Sequence, residues 1–423
     1  MADRNSPLKT SGRSRASGKR ACNDVGVSAT PTQPPFLRPE QDITDASLQT
    51  AMPRLLVVSH PAVVSVNQEV YRELMRRGWA VTIVVPNRWR HEYSDADVRP
   101  QALAGMEGTL RPTRVALRGR PQRHVYLASP RAICRDVRPD VAFLEAEPFS
   151  LPAAQWGRAL SRLGVPFGVQ SYENIDRPFR LPVRWLRSRV LRDAAFVAAR
   201  SDSAARLARA WGATGVVELA PPAVPAWEEV PASGERPFTV GYAGRLVESK
   251  GLADLLAAVR RLDAPVELLL IGDGEMRAQL DEQPIPGSRV RVLDGVSHDR
   301  MASAYAQVDV LVLPSRTTPT WKEQFGRVVI EALWCAVPVL GSDSGEIPWL
   351  IELTGGGLVF PEGDRDALAQ RLRVLRAQPA LRERLGSTGR KAVERLFSVP
   401  AATDPLERML LRAVQTRQDP PSS

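Results

Sequence analysis

This 423-residue chain is poor in cysteine, histidine, lysine and aromatic residues, and it contains no long apolar run. Each scarcity excludes something. Its cysteines Cys22, Cys134 and Cys335 are odd in number, far apart and without CxxC spacing, so neither a disulfide framework nor a zinc site is suggested. A reducing, cytoplasmic setting is expected. Histidines 60, 91, 124 and 298 are scattered with no HExxH, so no essential metal and no cofactor is expected. Aromatic residues make up 6% and do not interleave with basic ones, which removes the stacking platforms of single-strand nucleic-acid binders. No stretch of about 18 apolar residues is present to span a bilayer, and the first twenty residues lack the apolar segment of a secretory signal.

The net charge of +10 would by itself suggest an anionic polymer as partner. Of 57 basic residues, however, only Lys9, Lys19, Lys250, Lys322 and Lys391 are lysine. The charge is arginine spread along the chain, as a coding bias would produce, and no nucleic-acid partner is expected. Against that background Lys250 and Lys322 stand out, because both border motifs where a compact, rotatable ammonium has a use.

Length and a hydrophobic content of 43% suit two cores rather than one. Residues 1–50, rich in Ser, Pro, Arg and Thr without apolar periodicity, read as a disordered tail. From Leu55 short apolar runs (LLVVS, AVTIVVP, DVAFLEA, VPFGVQS, AFVAARS) alternate with helical patterns through residue 228. A Pro-rich stretch around APPAVPAWEEVPASGERP then serves as a linker. The rhythm resumes over residues 229–395 with FTVGYAG, ELLLIGDG, RVRVLDG, DVLVLPS, VPVLGSD and GLVFPEGD. Both halves therefore read as doubly wound α/β domains. Residues 396–423 form a closing helix and tail that could return to the first domain.

Three motifs of the second half fall at strand ends, where such sheets bind ligands. VGYAGRLVESKG puts Gly244 and Arg245 after a strand and Lys250 before a helix, a set of donors suited to phosphate. LLLIGDGEMR places Gly272 and Gly274 in another close turn. In WKEQFGRVVIE, a helix begun by Gln324, Phe325, Gly326 and Arg327 would set Glu331 in its second turn and Glu323 at its head. Eight helical residues span about 12 Å, so these carboxylates suit the two ends of one extended ligand better than a single catalytic pair. Carboxylates accept from sugar hydroxyls, and a helix N-terminus between them favours an anion. A sugar at each end and phosphate in the middle describes a nucleotide diphosphate sugar.

In these motifs the second half resembles the retaining GT-B glycosyltransferases of family 4, the group 1 glycosyltransferases, strongly over about residues 238–365. The first half matches in layout. The resemblance implies two Rossmann-like domains facing across a cleft. It also implies a hexosyltransferase that moves sugar with retained configuration to a hydroxyl of a cell-surface polysaccharide or glycolipid. Arg245, Lys250 and Glu323 would be catalytic, the cations holding the diphosphate and Glu323 the donor sugar. Gly244, Gly272, Gly274, Phe325, Gly326, Arg327 and Glu331 would bind donor, with Glu331 on the ribose.

Two departures affect the first domain. VVSHPAVVSVNQEVYREL lacks the glycine-rich loop of many relatives, leaving His60 and Asn67 as candidate contacts. The histidine that many relatives carry after the strand VPFGVQSYENID is missing, so Gln170, Tyr172, Glu173 or Asn174 is expected in its place. Lys322 reads as a helix-edge lysine or a partner for Glu323. The arginine-rich run RPFRLPVRWLRSRVLR reads as an ordinary helix packing its apolar side inward, with peripheral contact on an anionic membrane at the inner face of the cell as the alternative. Asp95 and Asp97 form an isolated DxD that is expected to arise by chance. Competing functional readings are a sugar-nucleotide epimerase or a phosphorylase of the same fold, and a non-catalytic scaffold. A nicotinamide dehydrogenase is disfavoured because Arg277 breaks GxGxxG.

Overall fold

The computed structural model describes residues 52–90, 97–228, 230, 236–282 and 285–418. The expected tail, Cys22, His91 and Asp95 lie outside them. The first sheet has seven parallel strands: β1 (Arg54–Ser59), β2 (Ala80–Pro86), β3 (Leu110–Thr113), β4 (Val141–Glu145), β5 (Phe167–Ser171), β6 (Phe196–Ala199) and β7 (Val216–Leu219). They lie in the order β7-β6-β5-β4-β1-β2-β3. Helices α1 (Glu69–Arg76), α2 (Pro130–Val137), α3 (Leu151–Arg162), α4 (Leu181–Asp193) and α5 (Asp202–Ala210) supply the crossovers. Because helices cover both faces, the inner strands are apolar without alternation. Leu55, Leu56 and Val57 are all fully buried. Ser150 and Ser201 cap α3 and α5 by accepting from Ala153 and Ala204 N–H.

The second sheet comprises β8 (Thr239–Ala243), β9 (Glu267–Ile271), β10 (Arg289–Leu293), β11 (Val310–Leu313), β12 (Val339–Ser342) and β13 (Gly357–Phe360), ordered β10-β9-β8-β11-β12-β13. Its helices are α6 (Leu252–Val259), α7 (Arg277–Glu282), α8 (Met301–Tyr305), α9 (Arg327–Trp334), α10 (Ile347–Thr354), α11 (Arg365–Ala377) and α12 (Pro379–Phe397). Each sheet reverses strand order once, between β1 and β4 and between β8 and β11, and each reversal opens a crevice at the strands' carboxyl ends.

A last helix, α13 (Val399–Gln418), packs on the first sheet's domain. Leu406, Met409, Leu410 and Ala413 join its core. Arg77 pairs with Glu407 at 2.6 Å, and Arg412 with Glu218 at 2.7 Å. The chain thus crosses between the domains twice, at the linker and at the α12–α13 junction, where Val224 N–H donates to Phe397 O. No helix among the described residues is long and apolar enough to cross a membrane.

Candidate active site

The loops after β8, β9 and β11 converge at the head of α9. Helix α9 starts at Arg327 and not at Gln324, because Gly326 occupies the left-handed region at φ 76° and breaks the turn. Gln324 and Phe325 therefore precede the helix. The Phe325 ring is buried against Trp349 and Phe397, so its side chain is a core anchor. Glu323, only 7% exposed, accepts from Lys250 Nζ at 2.7 Å and from Ser315 Oγ at 2.9 Å. The cation on Glu323 is thus Lys250 and not the adjacent Lys322. Lys250 also stands 4.7 Å over the Trp321 ring, which fixes the ammonium from a second side.

Arg245 projects from the loop after β8 as an exposed side chain, and its carbonyl accepts from Tyr242 hydroxyl at 2.5 Å. Burial raises the Tyr242 phenol pKa, which keeps it a donor. Gly272 and Gly274 are explained within the protein. A Cβ on Gly272 would lie 2.1 Å from Gly244 O, and one on Gly274 would lie 2.5 Å from Leu246 O. What those glycines admit is the neighbouring strand-end loop, held by Gly244 N–H to Ile271 O and Leu246 N–H to Asp273 O.

One turn into α9, Glu331 accepts from Tyr305 hydroxyl at 3.0 Å and lies 3.1 Å from Arg327 Nε. Burial raises its pKa, and the Arg327 charge opposes that shift. Trp227 of the linker and His298 face each other beside Tyr305, with ring centres 4.9 Å apart. Desolvation and then Arg327 lower the His298 pKa to about 4. Ser315 and Trp321 stand in the quoted segments DVLVLPS and WKEQFGRVVIE, whereas Tyr305 and Trp227 carry no motif, and in each case only the fold reveals the partner.

Residues 224–392 match the family described as Glycosyl transferases group 1, and residues 62–223 match Glycosyl transferase 4-like domain. The chain carries group 1 glycosyltransferase domains. It is 33% identical over 180 residues to the capsular polysaccharide biosynthesis glycosyltransferase CapM of Staphylococcus aureus, covering 41% of this chain and 45% of that one. It thus spans about half the length of that relative. Similarity to the 2-deoxystreptamine N-acetyl-D-glucosaminyltransferase of Streptomyces fradiae is 29% over 341 residues, covering 71% and 78%. Among solved structures, Anabaena HepE in complex with UDP-glucose superposes with a TM-score of 0.62 at 15% identity, covering 85% of this chain and 99% of that one. The fold is that of the GT-B glycosyltransferases.

The first glycosyltransferase domain reaches the second at the backbone carbonyl of Glu323 and at the guanidinium of Arg327. Asn174 Nδ2 donates to Glu323 O at 2.9 Å, while its Oδ1 is buried and has no partner. That bond also sets the amide orientation, since a flipped amide would press two oxygens together. Arg327 Nη1 donates to Asn67 Oδ1 at 3.3 Å, and Asn67 is itself held by Pro61 O at 2.9 Å. Arg327 and Asn67 line a cavity of about 70 Å³ with Tyr71, Glu145, Tyr172 and Arg200. There Glu145, at the β1/β4 reversal, accepts from Ser59 at 2.5 Å and Tyr71 at 2.8 Å.

The other candidates face inward. Tyr172 donates its N–H to Glu147 at 2.6 Å, and its ring lies under Arg200. Glu173 accepts from Arg177 at 2.9 Å and from Ile175 N–H at 3.1 Å. Gln170 accepts from Arg200. Burial raises the Glu147 pKa to about 7. The His60 ring lies tilted against those of Trp89 and His124, and burial followed by the His124 charge depresses its pKa to about 3. Asp97 pairs with Arg118 at 2.9 Å, and no group of three His, Cys, Asp or Glu among the described residues could hold a metal.

Proposed function

We propose that this chain is a retaining hexosyltransferase of family 4 that moves a sugar from a nucleotide diphosphate sugar to a hydroxyl of a cell-surface polysaccharide or glycolipid. The observation that carries the reading is the arrangement at α9. A buried carboxylate tied to Lys250 sits at its head, and a second, tied to Tyr305 and Arg327, sits one turn on. Arg245 and Lys250 would hold the diphosphate and the charge it gains as the sugar C1–O bond breaks and the bond from C1 to the acceptor oxygen forms, with the hydroxyl proton released. Glu331 would accept from ribose hydroxyls and Glu323 from donor sugar hydroxyls. For that contact Lys250 has to exchange part of its bond to Glu323 for phosphate. Asn174 Oδ1, beside Glu323 and without a partner, suits a further sugar hydroxyl and takes the role for which many relatives carry a histidine. The first domain would bind the acceptor, and no metal or cofactor takes part. Capsular polysaccharide in the name of the CapM relative supports a saccharide acceptor.

The test is binding and slow hydrolysis of a panel of UDP-, GDP-, ADP- and TDP-sugars, with Arg245→Ala, Lys250→Ala and Glu331→Ala alongside the parent. Selective thermal stabilisation by one donor is expected. Turnover should fall about a hundredfold or more in either cation variant, and donor affinity should weaken in Glu331→Ala. Stabilisation by no sugar nucleotide, or binding indifferent to all three changes, would falsify this reading. Isomerised donor without an acceptor would point to an epimerase.

A further inference from the structure

Helix α4 carries part of its amphipathic pattern inside out. Val190 and Leu191 face the core as a packing helix requires, yet Arg187 turns inward with them at 8% exposure. Its guanidinium carbon lies 4.2 Å from the Trp211 ring centre and 5.7 Å from that of Phe179. Meanwhile Trp185 and Leu181 stand 67% and 77% exposed. Selection for folding in water alone favours the opposite exchange, because a guanidinium loses hydration inside and a tryptophan outside forgoes apolar burial. The expectation of a helix with its whole apolar side inward is corrected accordingly.

At about 100° per residue, Leu181, Trp185, Ser188 and Arg192 form one stripe, with Arg184 and Arg189 flanking it on opposite sides. Arg180, Arg184, Arg189 and Arg192 are all exposed, against one acidic residue in the helix, Asp193, which is bound to Arg189 at 3.0 Å. An exposed tryptophan and leucine framed by unbalanced cations is the composition that seats a helix in the headgroup region of an anionic bilayer. Helix α4 begins seven residues after Asn174, which touches Glu323 of the second domain.

We propose that this face of α4 docks on an anionic phospholipid surface, with Leu181 and Trp185 at the acyl boundary and the four arginines on lipid phosphates. Seated there, the enzyme would stand at the surface that carries a lipid-anchored acceptor. The docking does not depend on which donor the second domain binds.

Sedimentation of the full chain with phosphatidylglycerol-containing or pure phosphatidylcholine vesicles, at low and high salt, tests this. Partitioning is expected onto the anionic vesicles only, weakened by salt. Leu181→Ser/Trp185→Ser should bind about tenfold or more weakly, as should Arg184→Gln/Arg192→Gln, with circular dichroism and thermal midpoint unchanged. The proposal is overturned by three results: no binding to anionic vesicles; binding that both double variants retain, which would assign it to the basic first twenty residues; or concentration-dependent self-association lost in those variants, which would make the face a contact between copies.

Discussion

Glu323 shows how much one residue's surroundings decide. Its side chain is held by Lys250 and Ser315, and its carbonyl by Asn174 and by Glu346 N–H at 3.1 Å. Asn174→Ala should therefore leave the fold intact and lower kcat/KM between about tenfold and a hundredfold, since small displacements of a positioned group have effects of that order. Unchanged kinetics in Asn174→Ala would remove it from the site. Gly272→Ala is a structural counterpart. With φ at 137° and Gly244 O only 2.1 Å from the added carbon, it should cost about 2 to 4 kcal/mol, read as a lower thermal midpoint. The motif containing Gly244, Arg245 and Lys250 was legible because few residue types meet its demands. Asn174 was legible only as one of four neighbours, since which of them turns toward Glu323 depends on the twist of β5.

Among the elements, the segments after β1, β2 and β3 bring together His60, Trp89, His124 and Tyr126 as a ring cluster. His124 Nδ1 lies 3.0 Å from Pro121 O and so carries the proton, leaving Nε2 buried without a partner. Burial lowers the His124 pKa to about 4 and that of His60 to about 3. Both folded values lie below the unfolded one near 6.5, so the unfolded chain binds more protons in between. Stability is present above about pH 6.5 and is lost as pH falls toward 4. Glu147 works the other way. Its folded pKa of about 7 exceeds its unfolded value, so its contribution is full in acid and disappears as pH rises to about 7. Two histidines outweigh it below neutrality, and the net expectation is acid destabilisation. Denaturant melts between pH 7 and 4.5 should show it, with a flatter acid limb in His124→Phe; an unaltered limb would place the sensitivity elsewhere.

At the scale of the whole molecule, helix α13 makes the first domain discontinuous in sequence. Leu410 is fully buried in a core otherwise built from residues before 221. Leu410→Ala should cost about 2 to 5 kcal/mol, and truncation after Ser398 should expose that core and leave a chain that aggregates. If the truncated chain stays monomeric with its full near-ultraviolet dichroism, α13 is dispensable. Because α13, the linker and the pairs Asn174–Glu323 and Arg327–Asn67 all join the two domains, one cooperative transition is expected in calorimetry. Arg327→Ala, which removes a direct bridge, should lower its midpoint.

The sequence by itself determined the two parallel sheets, because strands covered on both faces must be apolar without alternation. It also determined the strand-end motifs of the second domain, because glycine turns, cations and carboxylates at strand ends are local in sequence. Tertiary structure alone decided which groups meet. Lys250 finds Glu323 across 73 residues, Tyr305 finds Glu331, Arg327 finds Asn67, and Trp185 turns outward while Arg187 turns in. The reason is physical. Strand and helix periodicities follow from neighbouring residues, whereas partnership and facing follow from strand order, sheet twist and the seating of one domain on the other.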